Sequence, residues 1–129
     1  MSYYFTKILK DASFDATVQK VTEELKREGF GVLTEIDVTS TLKKKLDVDF
    51  KKYTILGACN PHSAYKVLKK EDKIGVFMPC NVVVEENENG DIEVFAVDPI
   101  AALRAVDNDT IGCHLIEMQQ KLQRVIENM

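Results

Sequence analysis

From Tyr3 to Leu9 the chain alternates and is rich in aromatic and β-branched residues, which predicts a first strand ending at Lys10 and Asp11. Ser13 then stands as a helix cap, and Phe14, Val18, Val21 and Leu25 recur at helical spacing on one stripe. Gly29 closes that helix, since glycine enters the left-handed conformation without strain. Between residues 30 and 38 the pattern returns to a period of two, with Phe30, Val32, Thr34, Ile36 and Val38 on one face of a second strand. Thr39 to Asp49 reads as a short helix or turn, and Lys51 to Cys59 as a third strand apolar on both faces. Asn60-Pro61 starts a helix running to about Lys70. Ile74 to Glu86 is β-branched and continuous enough for a fourth strand, bent or bulged at Pro79. Asn87 to Asp91 makes a hairpin turn, and Asp91 to Val97 returns as the last strand. Asp98-Pro99 opens a short helix to about Val106. Asp109 caps a terminal helix whose stripe is Ile111, Leu115, Met118, Leu122 and Val125 or Ile126.

This order of elements predicts an α+β fold, a two-layer α/β sandwich in which a mixed sheet carries its helices on one face, as a single domain over residues 1–129. A right-handed crossover through the helix at Asn60-Pro61 would make the third and fourth strands parallel. Both carry apolar residues on two sides: Tyr53 and Ile55 against Thr54 and Leu56, Val76 and Met78 against Phe77 and Val83. One chain supplies helices for one face only, so the expected partner is a second copy of the chain, a homodimer covering the other face.

Composition narrows the function classes. With 45% hydrophobic and 29% charged residues the chain is an ordinary globular protein. The first ten residues lack the apolar core of a signal peptide, and no apolar stretch is long enough to span a bilayer, so a cytoplasmic protein with no membrane partner is expected. A net charge of −4 gives no field for nucleic acid, and the basic run Lys43, Lys44, Lys45 with Lys51 and Lys52 reads as a solvated face. There is no phosphate-cradling glycine loop, no paired Cys-x-x-Cys motif and no nucleophile elbow.

Chemistry is concentrated at two of the three cysteines. Cys59 ends the third strand directly before the capped helix, where the positive end of the helix dipole would lower a thiol pKa. Cys80 follows Pro79 in the fourth strand, and parallel strands would make the two sulfurs neighbours. Each cysteine precedes an asparagine, and two amides beside two thiols could orient a small ligand. The candidate ligand-binding set is therefore Cys59, Asn60, Cys80 and Asn81, with Cys59 and Cys80 the candidates for any catalytic role. Asn60 is equally explained as a cap and either cysteine as core packing. His62 would complete a soft-metal set with the two thiolates, although a histidine in a first helical turn is ordinarily a surface residue; no metal ligand is assigned. Cys113 falls away from the stripe of the terminal helix and is incidental, and Asp98 is most simply a cap.

Three segments carry a resemblance: Leu56-Gly57-Ala58-Cys59-Asn60-Pro61, the run from Ile74-Gly75 through Pro79-Cys80-Asn81-Val82-Val83-Val84, and Asp98-Pro99. Together they resemble the bacterial and archaeal family known as domain of unknown function 302, over nearly the whole chain. The resemblance implies a small two-layer α/β domain that associates with itself, and it implies no activity and no cofactor. Members often carry another residue at the position of His62, which speaks against a metal set that needs it. The leading expectation is a homodimeric small-ligand binding module with its pocket around the two Cys-Asn motifs. The alternatives are a thiol-dependent enzyme or redox protein, with Cys59 attacking and Cys80 resolving, and a soft-metal binding protein.

Overall fold

The computed structural model describes residues 2–129. Five strands, β1 (Tyr4–Leu9), β2 (Gly31–Asp37), β3 (Tyr53–Cys59), β4 (Cys80–Glu86) and β5 (Ile92–Val97), form one sheet in the order β1-β5-β4-β3-β2. Around them lie α1 (Phe14–Arg27), α2 (Val38–Leu46), α3 (Pro61–Lys70), α4 (Pro99–Ala102) and α5 (Gly112–Glu127), with 3-10 turns at Asp72–Phe77 and Asp109–Ile111. The α+β class and the one-sided layering agree with the sequence.

Local chemistry sets the helix starts. The Ser13 side chain accepts the Ala16 amide, and the Asp37 side chain accepts that of Ser40. Asn60 and Asp98, each followed by proline, cap α3 and α4. Gly29, at φ +84°, closes α1 as expected. α1 packs on β2 and β4, α5 packs on β1 and β5, and the two helices touch each other. Between them and the sheet lies the main core, which includes Val21, Leu25, Leu56, Val84, Val94 and Leu122. A smaller core joins α3 to α5 through Val67, Ile74, Leu103, Ile111, Leu115 and Met118.

Three expectations need correction. Every strand pair is antiparallel, β3 with β4 included, so the sheet is not mixed. The reason lies in residues 72–77, which form a 3-10 turn rather than strand. The chain leaves the end of β3 along α3 and comes back through this turn to the same end of the sheet, where Ala58 pairs with Cys80. A single helix would have delivered it to the far end, ready for a parallel strand. The strand therefore starts at Cys80, and Val76 is exposed on the turn. In β2 the period of two breaks at a bulge between Val32 and Thr34, which leaves Val32 opposite Ala58 over the core while Thr34 lies opposite Gly57 on the other face. At the start of α5, Asn108 is the cap in place of Asp109, accepting the Thr110 amide into the preceding 3-10 turn.

Among the described residues, α1 and α5 both pack on the core side of the sheet, and the second face is left without a long helix. A row of rings crosses it: Tyr4 meets Phe95 at 6.1 Å, Phe95 meets Tyr53 at 6.3 Å, and Tyr53 meets Phe50 at 6.0 Å between centroids. Val83 is buried beneath this row, whereas Ile8 and Ile36 are about half exposed, at 52% and 47%. Charge is confined to a few places, among them a Lys51–Glu85 ion pair of 2.6 Å and Glu93, which accepts a hydrogen bond from Thr6. Gly57 lies on this face, where a β-carbon would run into Thr34 and the Pro79 ring. The close approach of Pro79 to β3 thus depends on glycine.

Candidate functional site

Off the paired ends of β3 and β4 is a cavity of about 40 Å³. Strand ends supply Ala58, Cys59 and Cys80; α3 supplies Val67, the 3-10 turn Ile74 and Phe77, and α5 Met118. Both Ala58 and Cys59 reach it although they are adjacent in the strand, since the cavity lies beyond the sheet's end, where the pleat no longer separates two faces. In the antiparallel register Cys80 lies opposite Ala58, the neighbour of Cys59, and both cysteines line this cavity. All three cysteines of the chain are free thiols.

The electrostatics run opposite to the sequence expectation. Burial raises the Cys59 thiol pKa. Burial pushes the Cys80 thiol from an ordinary 9.0 up to about 11, and the neighbouring Cys59 adds to the rise, because two thiolates this close would repel. Both groups are neutral thiols at physiological pH. Neither is the acidic, exposed thiolate that an attacking cysteine requires.

The two asparagines do not serve as a ligand-orienting pair. Asn60 is buried and spent: its Oδ1 accepts the Ser63 amide at 3.2 Å, and its Nδ2 donates to the Glu28 carbonyl at 3.4 Å. It touches the cavity as a wall that ties α3 to the end of α1. Asn81 alternates to the open sheet face, is exposed, and lines only a neighbouring groove of about 110 Å³. His62 lies outside the cavity lining, exposed in the first turn of α3, and Cys113 is exposed on α5. Asp98 is a cap, as expected, and its Oδ1 also accepts a hydrogen bond from Gln119 at 3.0 Å, fixing α4 to α5.

Two lining residues escaped the sequence reading. Met78 and Met118, both thioethers, are among the residues lining the same cavity as Cys59 and Cys80. Met118 stands on the apolar stripe of α5 and lines the cavity from there. The adjacency Met78-Pro79-Cys80 is the one local signal that could have drawn attention to a sulfur cluster.

Comparison with known proteins agrees with this architecture. The family model described as "Domain of unknown function DUF302" matches residues 5–129. The chain belongs to the DUF302 family. Among solved structures, a protein described as "uncharacterized conserved protein DUF302 from Bacillus stearothermophilus" is similar with a TM-score of 0.89 and 28% sequence identity, covering 98% of each chain. No curated protein matches. Among the described residues of this DUF302 chain, no helix is long and apolar enough to cross a membrane.

Proposed function

We propose that this DUF302 chain is a one-domain cytoplasmic binding module that works as a homodimer and holds one small, sulfur-seeking species in the cavity at the ends of β3 and β4. The observation that carries the reading is the convergence of Cys59 and Cys80 on one cavity. A cavity of about 40 Å³ holds a few water-sized atoms, a volume that suits an ion or a very small molecule. Its lining has no charged side chain, and the one amide present, Asn60, is already hydrogen-bonded, so recognition falls to sulfur. Raised thiol pKa values disfavour the thiol-enzyme alternative.

The dimer reading is supported by the aromatic row on the uncovered sheet face, since apolar sheet faces of this kind are normally covered. Light scattering of the full chain at micromolar concentration is expected to give the dimer mass; a monomer would contradict it. For the cavity, thermal unfolding is followed with methylmercury and with silver(I) as soft probes. A ligand binding only the folded state at a hundredfold its Kd stabilises by about 2.7 kcal/mol. The midpoint of the wild-type chain should rise with at least one probe, and the rise should vanish in Cys80→Ser but persist in Cys113→Ser. An unchanged midpoint with both probes would overturn the reading.

A further inference from the structure

We propose that the cavity is a copper(I) site, in which Cys59 and Cys80 supply the two principal ligands and the thioethers of Met78 and Met118 the secondary ones. This rests on reading the cavity as a binding site, and it names the occupant. Four of the residues lining one small cavity carry sulfur, and they come from three parts of the fold: the end of β3, the Met78-Pro79-Cys80 segment that leads into β4, and α5. Ordinary packing needs only apolar volume there, and the main core obtains it mostly from branched aliphatic side chains, with Met129 its one buried sulfur residue and Cys80 packed at its edge.

The donor set selects the ion. Thiolate and thioether sulfur are soft ligands that favour copper(I), and thioethers contribute little to zinc, which takes four ligands drawn from cysteine, histidine and carboxylate. No cluster of three or more His, Cys, Asp or Glu side chains exists among the described residues, so a zinc or harder-metal set is not available here. Copper(I) enters as the monovalent ion and leaves as such. Two S–H bonds give way to two Cu–S bonds, two protons go to solvent, and no electron is transferred. The complex retains one negative charge. Cys59 directly precedes the Asn60 cap of the ten-residue α3, whose amino-terminal dipole offsets that charge. Cys80 also lines the outer groove of about 110 Å³, together with Phe77 and Pro79, so one ligand borders both the cavity and the surface from which an ion would arrive.

The test is an anaerobic titration of the reduced full-length protein with copper(I) held by a coloured chelator, bicinchoninate, whose bleaching reports transfer. Wild type is expected to withdraw one copper(I) per chain. Cys59→Ser and Cys80→Ser should weaken the competition by at least about a hundredfold, and the double variant Met78→Leu/Met118→Leu by about tenfold, since thioethers are the weaker ligands. Cys113→Ser and His62→Ala should match wild type. Copper X-ray absorption of the wild-type complex, which depends on no variant folding, should show sulfur as the only neighbouring scatterer. Failure of wild type to compete, retention of copper by both serine variants, nitrogen or oxygen scattering, or unchanged affinity in the methionine double variant would each overturn the assignment. If silver(I) or methylmercury raises the wild-type midpoint but copper(I) is not taken up, the copper assignment fails while the soft-site reading stands. If none of the three binds, both fail.

Discussion

The main core and the sulfur-lined cavity are both apolar, both buried and adjacent in the fold, yet they are built differently. Beneath α1 and α5 the sheet presents Leu56, Val82, Val84, Val94 and Ala96 to Val21, Leu25, Leu122 and Val125, nearly all fully buried. At the ends of β3 and β4 Met78, Met118, Cys59 and Cys80 share the lining of a space of about 40 Å³ with residues of both cores, among them Phe30, Val67 and Ile74. Branched aliphatic residues have few rotamers and fill volume; methionine and cysteine are adaptable, polarizable and able to ligate. The difference teaches that apolar character alone does not mark a core, since the same hydropathy can serve packing in one place and recognition in another.

The sharpest contrast is mechanical. Leu122→Ala, in the filled core, should cost roughly 2 to 5 kcal/mol, as fully buried leucines do on truncation. Cys80→Ala removes a single atom beside space that already exists and should cost about 1 kcal/mol or less, with exposed Cys113→Ala smaller still. Urea titration of the three variants measures the order. Equal losses for Leu122→Ala and Cys80→Ala would make the cavity an ordinary part of the core.

Raised thiol pKa values provide a second contrast, through pH. Below the unfolded-state value of about 9.0 both states of Cys80 are protonated, and stability does not depend on this group. Between 9.0 and about 11 the unfolded chain releases the proton while the folded chain retains it, so stability falls as pH rises. The loss is on the order of 2 kcal/mol across that window. Stability measured from pH 8 to 11 should decline less steeply in Cys80→Ala than in wild type. Parallel curves for the two would remove Cys80 from the account.

How much of this was legible depends on the range of the interaction involved. Helix starts at Ser13, Asn60-Pro61 and Asp98-Pro99 are local capping chemistry, and each lies where the sequence puts it. The stripe from Ile111 to Ile126 is likewise a local periodicity that a single helix face satisfies. Residues 72–77 misled because Ile74, Val76 and Phe77 have strand-like composition, while the path of the chain there is set by packing of the turn against α3 and by Ile74 entering the smaller core. Strand direction followed from that error. The β2 bulge is invisible because it depends on the register with β3, fixed partly by the close contact of Thr34 with Gly57. At the candidate site, the two Cys-Asn motifs pointed to the strand ends that border the cavity, but the roles of the asparagines were not legible. Whether an amide is free depends on distant partners such as the Glu28 carbonyl. Met118 could not be singled out, since a methionine at helical spacing looks the same whether it packs or ligates.

The central claim is that Cys59 and Cys80 form a site rather than a patch of core. Its most direct test is anomalous diffraction at the copper edge from crystals of the reduced protein grown with one equivalent of copper(I). The account predicts one anomalous peak per chain, lying in the cavity between the Cys59 and Cys80 sulfurs. No peak there, or a peak at His62 or Cys113 instead, would contradict it.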